Sequence, residues 1–350
     1  MPDARGVLRV GVVGCGAFGR NHARVYRDLQ ARSPDEVQLV GVADLDHNRA
    51  QTVAREFGTQ AFQTVDELIA AGLDAASVAV PTVAHCEVAG RLMACGVDVL
   101  IEKPLATSLE EADELIDVAR RHSRVAQVGH LERFNPAVKA TQPLLTKPMF
   151  FEVHRLSIFT PRSLDVDVIL DLMIHDLDVV LSFAQSPIKE IRAVGLPILS
   201  KKVDIANVRM EFESGCVANF TASRVSTERI RKMRFFQPRQ YVSLDYSRQD
   251  VLVLTVDEVT PEMAGLDPFN PASVAASAFS GISPFKPTVE PQEPLLAELN
   301  SFLRAVRERS SPEVTLEDGR KALSAAKQIV EAIAEHSRRA NLLQLTRAES

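Results

Sequence analysis

Two short stretches of the sequence place proton-handling side chains where a reaction could use them. Glu102-Lys103-Pro104 ends the apolar run Asp98-Val-Leu-Ile-Glu102, so it reads as the carboxyl end of a buried strand, where ligands bind in open α/β sheets. An ammonium there can stabilise a developing alkoxide and orient a substrate hydroxyl. Pro104 fixes the local backbone and biases Lys103 towards an extended conformation. Taken alone, a lysine at a strand end is more often simply solvated. The second stretch, Val168–Phe183, is almost wholly apolar except along one line: at helical spacing Asp167, Asp171, His175, Asp178 and Ser182 share a stripe. Exposed stripes usually carry long Lys, Glu and Arg side chains, whereas this one carries short polar ones, which suits the wall of a cleft. His175 can then act as general base, with Asp171 one turn earlier orienting the ring and stabilising its charged form. Asp171, His175 and Asp178 could instead hold a metal, but such a site normally draws a further His or Cys, so no metal is expected.

A third motif supplies a place for a cofactor. Gly14-Cys15-Gly16-Ala17-Phe18-Gly19 follows the apolar run Leu8–Val13 and precedes a helical pattern, the context in which GxGxxG binds a dinucleotide. Gly14 makes the tight turn, Gly16 lets the pyrophosphate approach the backbone, and Gly19 lets helix and strand pack closely. The helix then offers free N–H groups and partial positive charge to the phosphates, with Ala17 and Phe18 in its first turn. Asp44 ends the next strand, where a carboxylate can bond ribose hydroxyls and repel a 2′-phosphate. Leu45 follows it and Arg49 is the only nearby basic residue, so NAD is expected over NADP. Asp44 could also serve as a helix N-cap. His85 and His130 follow or end strands of the same domain and could line the site or be structural.

The elements that must position these groups follow from periodicity. Strands are expected at Leu8–Val13, Gln38–Asp44, Ala75–Val80, Asp98–Glu102 and Val125–Gly129. Helices lie between them near Phe18–Gln30, Asn48–Phe57, Val65–Ala71, His85–Ala94 and Ser108–His122, the last opened by Thr107 or Ser108. That is a doubly wound parallel α/β domain over residues 1–129. Beyond it the rhythm changes to the helix Val168–Phe183 and then strands near Ile191–Val194, Asn207–Phe212, Cys216–Ala222 and Tyr241–Tyr246. Strands without intervening helices imply an open, mostly antiparallel sheet, so residues 130–350 read as an α+β substrate and oligomerisation domain. Thr260–Pro294 reads as a long loop covering the site or an oligomer contact. Helices Pro294–Arg309 and Thr315–Ser337 follow, with the option of packing back on the first domain.

Composition narrows the class without deciding it. With 46% hydrophobic and 25% charged residues the chain is neither disordered nor fibrous, and a net charge of -6 gives no global attraction to nucleic acid or anionic lipid. No apolar run reaches the roughly 18 residues a membrane helix needs, and the opening residues, with Asp3 and Arg5, are not a signal peptide. Cys15, Cys86, Cys95 and Cys216 show no ligand or disulfide spacing. Buried free thiols in a cytoplasmic protein are the expectation.

These residues together resemble the Gfo/Idh/MocA family of oxidoreductases, which includes glucose-fructose oxidoreductase and inositol dehydrogenase. The resemblance rests on the glycine motif with His22, on Val80-Pro81-Thr82 before His85, on Glu102-Lys103-Pro104, and on Gly129-His130 leading to Arg133-Phe134-Asn135-Pro136. Asp171 before His175, the Glu293–Phe302 run and Glu317-Asp-Gly-Arg320 extend it along nearly the whole chain. It implies that Lys103 and His175 face the substrate carbon with Asp171 in support, that Arg133 also meets substrate, and that Pro81, Thr82, His85 and Glu102 lie along the nicotinamide. It also implies a homodimer or homotetramer formed through the open sheet.

The segments Val203–Asn207, Ala222-Ser-Arg224 and Phe235-Phe-Gln237 are similar to the branch that oxidises the 3-hydroxyl of UDP-N-acetylglucosamine to a 3-oxo group, which an aminotransferase then aminates for lipid A assembly. Arg224, Arg229, Arg231, Lys232, Arg234 and Arg239 form a basic segment from which some side chains could meet a diphosphate, others being solvated or at an oligomer interface. Two readings compete: a dehydrogenase of a free sugar or polyol, and a regulator that binds NAD and sugar without turnover. The presence of Lys103 and His175 and the lack of an apparent DNA-binding element disfavour the regulator.

Overall fold

The computed structural model describes residues 6–160, 166–256 and 281–340. They form two compact units, one from the chain up to Phe134 together with Gln292–Lys327, the other from Asn135–Pro291 and from Gln328 onward.

In the first unit the chain runs β1 (Leu8–Val13), α1 (Ala17–Arg32), β2 (Val37–Ala43), α2 (His47–Phe57), β3 (Gln60–Phe62), α3 (Val65–Ala70) and β4 (Ala75–Val78). It continues through α4 (His85–Ala94), β5 (Asp98–Glu102), α5 (Leu109–Arg121) and β6 (Ala126–Gly129). The six strands are all parallel in the order β3-β2-β1-β4-β5-β6. The order therefore reverses between β1 and β4, and the carboxyl ends there form the crevice in which such sheets hold ligands. Periodicity missed only β3, an edge strand of three residues, too short to show alternation.

Local chemistry ends these helices. Thr64 and Glu67 form a reciprocal capping box on α3, and Ser108, not Thr107, caps α5 by accepting from Glu111 N at 3.1 Å. Gly58 at φ 62° closes α2 in the left-handed conformation. A later helix, α8 (Pro294–Glu308), completes this unit: Leu299, Phe302, Leu303 and Val306 share one core with Leu8, Val10, Val25 and Tyr26. Each such side chain contributes about 1.5–3 kcal/mol by leaving water.

The second unit holds α6 (Pro136–Thr141), β7 (Phe150–Ile158), a π-helical turn (Ile169–Met173) running into α7 (Ile174–Ala184), β8 (Ile188–Leu196) and β9 (Ile205–Phe212). Then come β10 (Val217–Ser226), β11 (Ile230–Gln237), β12 (Gln240–Asp245), β13 (Asp250–Val256) and β14 (Ile282–Phe285). The eight strands lie in the order β14-β13-β12-β11-β7-β10-β9-β8, antiparallel except for the β7–β10 pair. Phe151 and Phe235 turn inward against Phe183 of α7, with ring centroids 5.7–6.5 Å apart. On the opposite face Phe236 lies 5.6 Å from Phe150 and 5.3 Å from Tyr241 and is 37% exposed. The last helix, α9 (Leu316–Arg339), begins in the first unit and ends in the second.

The sequence reading omitted β7, β11, β13 and β14. In β11 the outward positions carry Lys232 and Arg234, so the run reads as a basic segment instead of an alternating strand. Most of the expected loop Thr260–Pro294 lies outside the described residues, and its described part contains β14. No helix among the described residues is long and apolar enough to cross a membrane. The thiols depart from expectation: Cys15 and Cys216 are buried, Cys86 is half-buried and Cys95 is exposed.

Candidate active site

The glycine turn has the shape its sequence requires. Gly14 sits at φ 91°, and a Cβ on it would lie 2.4 Å from the Ala79 carbonyl oxygen beyond β4; one on Gly19 would lie 1.7 Å from Gly14 O. Both positions exclude any larger residue. At Gly16, by contrast, a Cβ would meet nothing within 4 Å, so the missing side chain leaves open room beside the backbone. Gly16 is also the N-cap of α1, and no side chain caps that helix. Ala17 and Phe18 are exposed in its first turn. Open room beside an uncapped helix N-terminus fits a dinucleotide pyrophosphate.

Asp44 stands just beyond β2 and ties the turn in place. Its Oδ2 accepts from Cys15 N at 2.7 Å and its Oδ1 from Asp46 N at 2.8 Å, with the Arg49 guanidinium 3.5 Å away. The alternative role as a helix cap falls instead to Asp46, which accepts from Arg49 N. Burial and the Asp44 charge push the Cys15 thiol up to about 12, so it is no nucleophile.

Around the ends of β4 and β5 the loops are fastened by His85. Pro81 is exposed, Thr82 opens a single turn, and His85 begins α4 fully buried. Its Nδ1 lies 2.9 Å from Pro104 O and its Nε2 3.0 Å from Val80 O, bridging the loops after β4 and β5. Burial lowers its pKa, against the opposing pull of those carbonyls; a neutral ring donates to only one of the two. Lys103 is half-buried and joined to Pro104 by a cis peptide bond, whereas the sequence suggested only an extended backbone. Glu102 Oε1 lies 2.8 Å from His22 Nε2, and its Oε2 accepts from Lys103 N at 3.3 Å. Burial alone would raise the Glu102 carboxyl, but the bond and charge from His22 and the nearby Lys103 charge hold it below the usual carboxylate range. The missing side chain of Gly129, paired with Glu102 across β5 and β6, makes the space: a Cβ there would lie 3.2 Å from Glu102 Oε2. His130 and Arg133 follow, both buried, with an Arg133 amino group 3.7 Å from the Asp318 carboxylate.

In the second unit Asp171 falls inside the π-helical turn and His175 on the first turn of α7, both half-buried. Of the expected stripe, Asp167, Asp171, His175 and Ser182 are half-buried and Asp178 is buried. A π turn advances less per residue than an α-helix, so the spacing of these residues shifts before His175. Asp167 ties the start of the segment to the connection between β8 and β9 by accepting from Val203 N at 2.9 Å. The neighbour of His175, Asp176, accepts two bonds from Arg155 of β7, at 2.6 and 2.9 Å, and Arg155 also lies 5.4 Å from the Tyr246 ring centroid. This buried fork fixes the helix to the sheet; periodicity alone could not find it, because Asp176 sits off the stripe. Among the described residues no group of three His, Cys, Asp or Glu side chains could hold a metal.

The basic segment separates into distinct roles. Arg224 is buried, donates to Val166 O and lies 3.6 Å from Asp204, whose Oδ2 accepts the N–H groups of Ile198, Leu199 and Ser200. It is therefore committed inside the unit. Arg234 pairs with Glu152 and Lys232 lies 3.8 Å from Asp245, while Arg229 is exposed.

Residues 8–130 match the oxidoreductase family described as having an NAD-binding Rossmann fold, and residues 148–238 match the Gfo/Idh/MocA C-terminal domain. The chain belongs to the Gfo/Idh/MocA oxidoreductase family. It is 37% identical to UDP-N-acetylglucosamine 3-dehydrogenase of Acidithiobacillus ferrooxidans, over 92% of this chain and 96% of that protein. The solved structure of that relative superposes with a TM-score of 0.82, covering 93% of this chain and 97% of the other at 36% identity. The scyllo-inositol 2-dehydrogenase (NAD(+)) of Bacillus subtilis is 28% identical over 63% of this chain and 68% of its own. A levoglucosan dehydrogenase solved with NADH and levoglucosan shares the fold, with a TM-score of 0.77 at 18% identity over 94% of this chain and 97% of that one. The protein is thus an NAD-dependent oxidoreductase with an N-terminal Rossmann sheet and a mostly antiparallel C-terminal sheet.

Proposed function

We propose that this enzyme oxidises the 3-hydroxyl of UDP-N-acetylglucosamine to a 3-oxo sugar. The observation that carries the reading is the 37% identity, over 96% of its length, to a relative named for that reaction. NAD, when bound, supplies the two-electron acceptor. Gly14, Gly16, Ala17, Phe18 and Gly19 would hold its pyrophosphate, Asp44 its adenosine ribose, and Pro81, Thr82, His85 and Glu102 would lie along the nicotinamide. His175 accepts the hydroxyl proton, Asp171 supports the imidazolium, and the Lys103 ammonium stabilises the alkoxide. Arg133 is assigned to substrate. Because Arg224 is committed to Val166 and Asp204, any diphosphate contact falls to other basic residues, among which Arg229 is exposed. The ketone is a substrate for an aminotransferase, which would put the enzyme upstream of amination in lipid A assembly, in the cytoplasm.

The test is to incubate enzyme, NAD and UDP-N-acetylglucosamine with an aminotransferase and amino donor, and look for a 3-amino sugar nucleotide. Trapping is needed because oxidation of a secondary alcohol by NAD is uphill at neutral pH. Efficient turnover of inositol or a free hexose, with no 3-oxo or 3-amino sugar nucleotide formed, would replace this reading with a polyol dehydrogenase.

A further inference from the structure

A chain of hydrogen bonds runs through the core of the first unit and ends beside Lys103. Tyr26 and His22, one turn apart on α1, both reach Ser77 of β4: Tyr26 Oη lies 2.9 Å and His22 Nδ1 2.9 Å from Ser77 Oγ. The other ring nitrogen, Nε2, lies 2.8 Å from Glu102 Oε1. Tyr26, His22 and Ser77 are all 0% exposed, so water cannot substitute for a lost partner and the bonds fix each group's orientation. An apolar residue at position 22 would have filled this space without such bonds; the dehydrogenase reading has so far given this histidine no task.

Donor and acceptor roles follow from Glu102. A carboxylate only accepts, so His22 must donate through Nε2. When the ring is neutral, Nδ1 accepts from the Ser77 hydroxyl, whose oxygen accepts from Tyr26; when the ring is charged, Nδ1 donates to Ser77 Oγ. In either state the chain converges on the carboxylate whose second oxygen accepts from Lys103 N.

We propose that His22 is a positioning residue of the dehydrogenase: through Nε2 it holds the Glu102 carboxylate in one orientation and thereby fixes the backbone and charge around Lys103. The proposal rests on the reading in which Lys103 stabilises the alkoxide. Asn and Gln separate the two ends of the ring, since an Asn amide can mimic Nδ1 and meet Ser77, whereas a Gln amide can mimic Nε2 and meet Glu102.

The first experiment uses the cofactor-free wild-type protein. With ¹⁵N-labelled histidine, the His22 ring should carry its proton on Nε2; a neutral ring protonated on Nδ1 would overturn the proposal, and this readout survives if the variants fail to fold. The second compares turnover and NAD affinity in folded variants. His22→Asn should lower kcat about tenfold or more, the scale of a small misplacement of a reacting group, with the Kd for NAD unchanged within about twofold. His22→Gln should recover most of the loss, and His22→Asn should cost nothing further in a Glu102→Gln background. Unchanged kcat in His22→Asn, loss of NAD binding in parallel with kcat, or an equal further loss in the Glu102→Gln background would each overturn it. Lys103→Ala run alongside distinguishes the failures: if it retains wild-type turnover, the reading of Lys103 fails, whereas an inactive Lys103→Ala beside a fully active His22→Asn defeats only the role of His22.

Discussion

Single side chains around the cofactor turn carry the sharpest expectations. Lys103→Ala and His175→Ala should each lower turnover by at least ~100-fold, the usual scale for electrostatic and acid/base groups, while NAD binding measured by calorimetry persists. In the proposed cofactor site the Asp44 carboxylate would repel a 2′-phosphate, and Arg49 at 3.5 Å would offset part of that charge. Asp44→Ala should therefore narrow the preference for NAD over NADP and Arg49→Ala should widen it, as read from the ratio of kcat/KM for the two cofactors. His85 gives a pH signature. Its folded pKa lies below the ordinary 6.5, so between the two values the unfolded chain binds more protons. Its contribution to stability is then full above about pH 6.5 and is lost as pH falls through the folded value. Melting temperature should drop on acidification below about pH 6.5, and His85→Gln should flatten part of that slope. Gly129→Ala would crowd Glu102 and should cost about 1–3 kcal/mol, as overpacking does, with a parallel loss of turnover.

At the level of elements, the π-helical turn and the Arg155–Asp176 fork together set how the segment bearing Asp171 and His175 meets its sheet. Asp176→Ala leaves Arg155 buried with its fork broken, so chemical denaturation should show a loss of about 3–5 kcal/mol. An apolar pair such as Arg155→Met with Asp176→Leu should lose much less. The same elements show what could be read in advance. Leu8–Val13, the glycine turn and Glu102-Lys103 were legible because apolar runs, glycines and a strand-end charge are local signals. The slip of register before His175 was not, since a π turn depends on tertiary restraints such as the bond from Val203 N to Asp167. Nor was the link from His22 to Glu102, whose partners stand 80 positions apart. Strand β11 is hidden for another reason: Met233 and Phe235 point inward while Lys232 and Arg234 point outward, and the run of charges from Arg231 to Arg234 masks the alternation.

For the molecule as a whole, the open sheet face is the place to look for self-association. Phe150, Phe236 and Tyr241 form an aromatic row there, and exposed aromatics on a flat sheet are typical of subunit contacts. Sedimentation should find a dimer or tetramer for the wild type and smaller species for Phe236→Asp; a monomeric wild type would remove this assignment.

The discontinuous first unit has a consequence for synthesis. Leu299, Phe302, Leu303 and Val306 of α8 complete the core around Val25 and Tyr26, yet the ribosome adds them only after residues 135–291 of the second unit have been made. A nascent chain stalled near residue 134 would expose that unfinished apolar surface, and chaperone capture should be strongest in this interval. Joining residues 6–134 to 292–327 with a flexible linker should yield a soluble Rossmann unit where 6–134 alone aggregates. Vectorial growth thus makes the first part of the chain to be born among the last to fold.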